Sequence, residues 1–423
     1  LSSDKLDSVG WGIIWPPKPL TSYEQAHRDA LEGLIKHRRQ QLGALQPQQF
    51  HYKEGWEYDQ FLWEEGRRVE PGNMSPEKVP YYLCIVGSPE RVPWEFQQYL
   101  DGEYAVGRLW FDDPEDCEKY VRHLIAYEAA ARITSVSREV VFVGTQHEND
   151  RATHNSATEL VKPLHDWVKS EVDLDFTASL LLGNDARKIP LLERFKASDA
   201  DNREQESPAL LFTAGHGLEF ERSSDEQFAK QGALIFQDWP GWLSPPQPGH
   251  YLAADDINEH LNLKGVVMFC FACFSAGTPL KQDWVPRSFF GGPKKIAPAP
   301  FIARLPQKML AGGALAFIGH VSKAWESSFL GSEGSSQQLG PFVAVLSELL
   351  RGRQVGHATD YLNARWIHLN VQLDNWVNRR KKEKAEVISL WQARNDFRGY
   401  VVLGDPAARM RVDRMRNAVE GLI

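Results

Sequence analysis

Two apolar runs of this chain end at residues that can do covalent chemistry. The first is Pro208-Ala-Leu-Leu-Phe-Thr-Ala-Gly-His216-Gly217, and the second is Gly265-Val-Val-Met-Phe-Cys270-Phe-Ala-Cys273-Phe-Ser-Ala-Gly277. Short continuous apolar runs are typical of strands that are buried on both faces of a parallel sheet. Ligands of such sheets bind outside the carboxyl ends of the strands. The two runs therefore predict an α/β fold whose functional edge carries His216 and Cys273.

His216 and Cys273 together fit nucleophilic catalysis. Taken alone, a loop histidine is often ordinary, and a cysteine at a strand end is usually an inert core residue. A cysteine nucleophile, however, needs a nearby histidine to take its proton. Parallel strands lie about 5 Å apart if adjacent and about 10 Å if next but one, so the two side chains can meet. Cys270 is the competing nucleophile, but its place inside the run predicts a buried, protonated thiol.

Small residues beside this pair predict an oxyanion site. The backbone N–H groups of Cys273 and Gly217 are candidates for holding the oxygen of an acyl intermediate. Glycine at position 217 also lets a substrate backbone come close.

Around the two runs, short apolar segments and longer helical segments alternate along the chain. Short apolar runs such as Tyr81–Val86 and Val140–Val143 alternate with helical stretches such as Pro114–Ala131 and Asn155–Lys169. This pattern predicts a mostly parallel sheet with helices on both faces. The loops around 219–250 and 281–300 are long for a compact α/β domain, and such loops are usually functional.

Composition excludes several classes of function. A net charge of −8 does not favour nucleic acid as a partner, and the basic run 379–382 is followed by acidic residues, as on a solvated helix face. No apolar stretch approaches the roughly 20 residues of a membrane span, and no signal peptide is recognised. Four cysteines in 423 residues do not make a disulfide framework, so we expect a cytoplasmic, reducing setting.

Six stretches, in order along residues 80–412, resemble the motifs of gingipain-type peptidases and, more distantly, of caspases and the bacterial caspase-like domains called CHAT. They are Tyr82–Pro93, Glu103–Leu109, Thr213–Gly217, Phe271–Thr278, Ala316–Trp325 and Val402–Ala407. The spacing from His216 to Cys273 is also close to the roughly 50 residues typical of caspases. The resemblance implies a caspase-like sheet in two subdomains and a cysteine endopeptidase with Cys273 as nucleophile and His216 as base.

The resemblance also implies a division of the chain. We expect an N-terminal extension (1–79) packed on the core, a first subdomain (80–135), a catalytic subdomain (136–412) and a C-terminal tail (413–423). Neither the gingipain secretion leader nor its C-terminal immunoglobulin-like domain is recognised. This favours an enzyme that works inside a bacterium.

The resemblance further implies a substrate pocket for the residue before the scissile bond, the P1 residue. Asp150 matches the gingipain aspartate that binds a P1 arginine, with Asp283 as the rival acid and Trp325 as a pocket wall. Asp150 is equally an ordinary helix N-cap, and Trp325 an ordinary half-buried tryptophan. Glu148 is a candidate for orienting His216, although a solvated charge is the better interpretation.

No metal or other cofactor is expected, because no His/Cys spacing resembles a zinc site and His147 and His154 lack further ligands; calcium dependence stays open. The expected partners are protein or peptide substrates and an upstream activating protease or sensor protein. The family favours a regulated protease in bacterial defence or cell death. Two alternatives remain: a catalytically silent caspase-like binding module, and a different acyl-transfer or thiol enzyme on an α/β sheet.

Overall fold

The computed structural model describes residues 2–64, 66–198, 204–282, 293–330, 337–378 and 384–418. The candidate pocket residue Asp283 and the basic run 379–382 lie outside the described residues.

One ten-stranded sheet forms the centre of the molecule, in the order β2-β1-β3-β4-β14-β13-β10-β7-β5-β6. Its strands are β1 (Trp11–Trp15), β2 (Gln48–His51), β3 (Tyr82–Val86), β4 (Ala105–Leu109), β5 (Val136–Gly144), β6 (Thr177–Leu182), β7 (Ser207–Ala214), β10 (Val267–Phe271), β13 (Ala316–His320) and β14 (Tyr400–Gly404). Two small antiparallel pairs stand apart from it, β8 (Leu234–Ile235) with β9 (Tyr251–Leu252), and β11 (Gly277–Thr278) with β12 (Phe301–Ile302).

The sheet has two parallel halves of opposite direction. Every neighbouring pair is parallel except β13 with β14, where the two halves meet. Every residue of β7, β10 and β13 is buried, which explains why these strands appear in the sequence as continuous rather than alternating apolar runs. The predicted mostly parallel α/β sheet is confirmed.

Helices cover the sheet. They are α1 (Leu6–Val9), α2 (Ser22–Ala30), α3 (Glu32–Gln41), α4 (Tyr58–Trp63), α5 (Trp94–Leu100), α6 (Pro114–Ala129), α7 (Arg151–Asn155), α8 (Lys162–Ser170), α9 (Lys188–Glu193), α10 (Gln227–Lys230), α11 (Arg304–Ala311), α12 (Gly340–Leu350), α13 (Val355–Asn378) and α14 (Lys384–Gly399). A π-helical turn, Ser156–Val161, joins α7 to α8. Among the described residues, no helix combines the length and the apolar character that crossing a bilayer requires.

The N-terminal region does more than pack on the core. Its strand β1 pairs in parallel with β3, and β2 pairs with β1, so residues 1–79 extend the central sheet by two strands. All five residues of β1 are buried. The expected N-terminal extension therefore takes part in the central sheet.

A buried ion network ties this region to the end of the chain. Arg38 on α3 donates to Asp405 Oδ2 at 2.7 Å and to both carboxylate oxygens of Glu128 on α6. The indole N–H of Trp11 in β1 donates to Asp405 Oδ1 at 3.0 Å. Because the three charged side chains are almost completely buried, their charges depend on one another for compensation.

Candidate active site

The carboxyl ends of four neighbouring strands supply the residues of the site. Across the sheet the order is β13, β10, β7 and β5. Along the chain, Trp325 comes after β13, Cys273 after β10, His216 after β7 and Asp150 after β5. The site therefore lies at the sheet edge that the two apolar runs predict, and it is spread over four adjacent strands.

Cys273 and His216 follow directly paired positions. Phe271 in β10 pairs with Ala214 in β7, and each is two residues before one of the candidate catalytic residues. The backbones stay in contact beyond the strands, because a Cβ atom added at Gly217 would lie 2.0 Å from the carbonyl oxygen of Cys273. Glycine at position 217 is thus required by the close approach of the two loops.

Asp150 contacts His216 rather than standing free in the cleft. Its Oδ2 accepts a hydrogen bond from Nε2 of His216 at 2.5 Å. Its Oδ1 accepts from the N–H of Ala152 at 3.1 Å, so the same carboxylate is also the N-cap of α7. With Nε2 held in this way, Nδ1 is the ring nitrogen left to exchange a proton with a thiol.

The hydrogen bond favours the ionised carboxylate. Burial raises the pKa of Asp150, but the hydrogen bond and the charge of His216 outweigh that effect, and the pKa is lowered below its usual value. His147 lies behind the pair, nearly parallel to the ring of His216 with centroids 6.3 Å apart. Burial, together with the charge of His216, lowers the pKa of His147, which keeps this neighbour neutral.

The Cys273 thiol is half-buried under the loop that follows β13. It donates to the carbonyl oxygen of Ala324 at 3.8 Å. Burial raises the pKa of Cys273 to about 11, so the resting thiol is protonated at neutral pH. Cys270 is fully buried, and burial raises its pKa to about 12, which agrees with its predicted inert role.

The two predicted oxyanion donors are not used elsewhere. Within the described part of the chain, neither the N–H of Gly217 nor that of Cys273 donates to a protein acceptor. By contrast, the N–H of Phe274 donates to the carbonyl oxygen of Ser322 at 2.8 Å. The oxyanion assignment stays a prediction that this geometry accommodates.

A buried histidine and aspartate fix the loop over Cys273. Asp396 on α14 accepts the backbone N–H of Trp325 at 2.9 Å and lies 3.1 Å from Nε2 of His320. The other nitrogen of His320, Nδ1, lies 2.9 Å from the carbonyl oxygen of Ser322. Nε2 also lies 2.8 Å from the carbonyl oxygen of Asp396, and Nδ1 lies 3.1 Å from the backbone nitrogen of Ser322. The sequence analysis does not identify Asp396, because α14 lies far along the chain.

A cleft of about 2150 Å³ opens above these residues. It exceeds the roughly 300–1,000 Å³ typical of small-molecule pockets, as a site for an extended peptide would. Its walls come largely from the two loops that the sequence singles out. They include His216, Cys273, Trp325 and parts of segments 219–230, 235–251 and 294–298.

The remaining predicted residues are placed as follows. Glu148 is exposed, as a solvated charge would be, and Asp150 does not line the cleft. Trp325 does line it. The carboxylate of Asp150 is engaged by His216 and by the N–H of Ala152. Two residues of the helix that it caps, Arg151 and Asn155, reach Glu326 beside Trp325. The P1 role of Asp150 stays a prediction. Within the described ranges, no group of three or more His, Cys, Asp or Glu residues could hold a metal ion.

Solved structures similar to this one in fold include three protease structures. A solved protease structure superposes with a TM-score of 0.53 at 13% sequence identity, covering 95% of this chain and 78% of the other. The Arg-specific cysteine proteinase gingipain R (RgpB) gives 0.49 at 12% identity, covering 97% and 80%. The complex of Porphyromonas gingivalis RgpB pro- and mature domains gives 0.47 at 14% identity, covering 95% and 80%.

At the level of sequence, a search of curated proteins finds no significant match. The model of peptidase family C25, in contrast, matches residues 75–411, a span that contains all four strand-end residues of the site. The chain therefore belongs to peptidase family C25, a family of cysteine peptidases.

Proposed function

We propose that this cysteine peptidase is an endopeptidase in which Cys273 is the nucleophile, His216 is the general base and acid, and Asp150 orients His216. The observation that carries the proposal is the hydrogen bond from His216 Nε2 to Asp150, at the ends of strands that lie next to the strand of Cys273. A cysteine, a histidine and an orienting acid form a recurrent arrangement for acyl transfer.

In the acylation half of the reaction, Nδ1 of His216 takes the proton of the Cys273 thiol as the sulfur attacks the carbonyl carbon of the scissile bond. The developing oxyanion is held by the N–H groups of Gly217 and Cys273. The tetrahedral intermediate then breaks its C–N bond. His216 returns the proton to the leaving amine, and a thioester remains on Cys273.

In the deacylation half, water replaces the departed amine. His216 takes a proton from the water as its oxygen attacks the thioester carbonyl. The C–S bond breaks, the sulfur recovers the proton from His216, and the carboxylic acid product leaves. Asp150 holds the ring orientation through both halves, and the written steps need no metal ion.

We propose that the P1 residue is basic and that Glu326, rather than Asp150, is the acid that binds it. Glu326 lines the cleft directly after Trp325. Its carboxylate accepts from the side-chain amide of Asn155 at 2.8 Å and lies 3.5 Å from the guanidinium of Arg151. Since Arg151 is mostly exposed, a substrate arginine or lysine can replace it.

The test is a panel of fluorogenic peptides with Arg, Lys, Asp or Leu at P1, assayed with and without calcium. We expect cleavage after Arg and Lys that is lost in Cys273→Ala and kept in Cys270→Ala. Glu326→Gln should lower the preference for Arg over Leu about tenfold or more. The exposed Glu148→Gln serves as the matched control. Cleavage by Cys273→Ala would contradict the nucleophile, and an unchanged preference in Glu326→Gln would contradict the pocket.

A catalytically silent binding module is the second candidate. The observation in its favour is the resting thiol, which donates to Ala324 and has a raised pKa. A thiol-reactive peptide probe separates the two, because only a peptidase transfers its peptide group to Cys273 at a rate that depends on His216.

We also propose a regulated, cytoplasmic role in a bacterial defence or cell-death pathway, with an upstream protease or sensor as the activating partner. The support is the resemblance of the motifs to caspase-like bacterial domains and the four cysteines, all of them free. Induced expression in bacterial cells tests this role. Growth arrest by the wild type but not by Cys273→Ala is the expected result, and equal growth of both would contradict it.

A further inference from the structure

We propose that an aromatic wall next to His216 binds the side chain of the substrate residue directly after the scissile bond, the P1′ residue, and selects an apolar one. The wall consists of Trp239, Trp242, Pro245 and Pro246 and is called the tryptophan shelf below. All four residues line the cleft. The inference rests on the proposed function and adds a binding subsite to it.

The shelf is held in shape by its own contacts. The buried Trp239 donates its indole N–H to the carbonyl oxygen of Ser244 at 2.7 Å. The N–H of Ser244 donates to the carbonyl oxygen of Gly241 at 3.1 Å, which closes a turn. Gly241 has a φ of +100°, a conformation that side-chain-bearing residues rarely adopt. Trp242 is therefore presented from a fixed turn and not from a loose loop.

Trp242 is held against His216 yet remains open to solvent. Its ring meets the ring of His216 edge to face, with centroids 5.1 Å apart, and meets that of Trp239 at 5.0 Å. Even so, 68% of Trp242 is exposed. A large, exposed aromatic surface beside a candidate catalytic residue is typical of a binding site rather than of a packed core.

The proton path assigns this surface to the P1′ side of the substrate. His216 must deliver its proton to the leaving amine, and that amine belongs to the P1′ residue. The P1′ residue therefore lies at His216 during bond cleavage, within reach of a ring that touches His216. Glu326, the acid proposed for P1, follows β13 and contacts Asn155 and Arg151 of α7, so the proton path and not the strand order assigns the P1′ side.

The chemistry of the shelf selects the class of side chain. The exposed ring of Trp242, backed by the buried Trp239, and the two prolines offer an apolar surface and no charged group. Burying an apolar P1′ side chain there removes its surface, and part of that of Trp242, from water. A charged P1′ side chain would lose hydration without gaining a partner.

The test uses internally quenched peptides that share one P1 residue and carry Leu, Phe, Gly, Ser or Asp at P1′. For the wild type we expect kcat/KM with Leu or Phe to exceed that with Asp at least tenfold. Trp242→Ala should lower kcat/KM about tenfold for Leu and less than threefold for Gly. Trp63→Ala is the matched control, since Trp63 is 56% exposed on α4 and does not line the cleft.

A second measurement separates binding at P1′ from support of His216. The acyl-enzyme formed from a P1 ester is offered leucinamide or glycinamide, and the ratio of aminolysis to hydrolysis is measured. Trp242→Ala should remove the advantage of leucinamide. A uniform loss for all peptides, or an unchanged P1′ profile, would overturn the inference and leave the peptidase intact. If the wild type cleaves nothing while folded, the proposed function itself fails, and the inference with it.

Discussion

Asp150 shows how one carboxylate can serve two elements at once. One oxygen caps the first turn of α7, and the other holds His216. The N-cap fixes the backbone position of Asp150, and the strand order places His216 within reach of its carboxylate. The residue that orients the candidate catalytic histidine is therefore one whose backbone is already held in place by a helix.

Replacing Asp150 by Asn tests this role at the level of the residue. Asparagine is as good an N-cap as aspartate, so α7 and the melting temperature should be preserved. The loss of the negative charge and of the correct tautomer should lower kcat roughly 10- to 1,000-fold with little change in KM. Steady-state kinetics with one peptide, alongside thermal unfolding, measures both.

A P1-binding role for Asp150 would give the opposite pattern. Asp150→Asn would then lose the preference for Arg over Leu at P1 while Leu peptides kept their kcat. Glu148→Gln, two residues away and exposed, controls for the general charge of the loop.

At the scale of elements, α14 fixes the loop that follows β13 and covers Cys273. Asp396 accepts the N–H of Trp325 and pairs with His320. Burial lowers the pKa of His320, but the hydrogen bond and charge of Asp396 outweigh it and raise the pKa above its usual value. The ring of Tyr400 also faces His320, with the two ring centroids 5.1 Å apart, and the charge of Asp396 acts on the Cys273 thiol.

The raised pKa gives this contact a defined pH dependence. The stability that protonated His320 contributes is fully present below its unfolded pKa, near 6.5, and is lost as the pH rises through the folded pKa. We therefore expect Asp396→Asn to lower the melting temperature more at pH 6 than at pH 9. Asp396→Ala, which also removes the acceptor for the N–H of Trp325, should in addition raise KM several-fold. Equal losses of stability at both pH values would contradict a charged pair.

The elements also show which parts of the fold can be predicted from the sequence. β7 and β10 were predictable because strands buried on both faces leave continuous apolar runs. β1 was missed because Trp11–Trp15 is followed directly by two prolines, which indicate irregular structure. The hydrogen bond between Asp150 and His216 could not be predicted, because nothing in the sequence states that β5 lies beside β7. Asp396 was missed because no local pattern marks a residue that contacts the site from a distant helix.

At the scale of the whole molecule, one buried arginine joins the two ends of the sequence. Arg38 on α3 bonds to Glu128 on α6 and to Asp405, which directly follows β14 where the two halves of the sheet meet. Burial raises the pKa of Glu128, but the charge of Arg38 outweighs it and holds the pKa well below its usual value. Asp405 lies in the stretch Val402–Ala407, one of those that resemble the gingipain family.

Arg38→Ala should cost much of the free energy of unfolding. The substitution removes the guanidinium that bonds to both buried carboxylates, which should lower the free energy of unfolding by roughly 3–5 kcal/mol at pH 7. Arg39→Ala, on the exposed face of the same helix, should change little. In the wild type the contribution of Glu128 is present above its unfolded pKa, near 4.3, and is lost as the pH falls through the lower folded pKa.

In Arg38→Ala, Glu128 keeps its contacts with His37 and Gln41 but loses the charge that most lowers its pKa, so the pKa of this buried carboxyl should rise. The difference in unfolding free energy from the wild type should therefore narrow as the pH is lowered from 7 to 5. Urea denaturation of the three proteins at both pH values measures it. A difference below about 1 kcal/mol at pH 7 would contradict a network that ties α3 to the core.

The most direct measurement of the central claim is the site of covalent capture by a peptide ketone inhibitor with arginine at P1. Intact-mass and peptide-mapping mass spectrometry of the treated protein should find one adduct, on Cys273. The rate of labelling should fall sharply in His216→Ala and less in Asp150→Asn, and no adduct should form in Cys273→Ala. An adduct on Cys270, or labelling of Cys273 at the same rate without His216, would contradict the proposed catalytic arrangement.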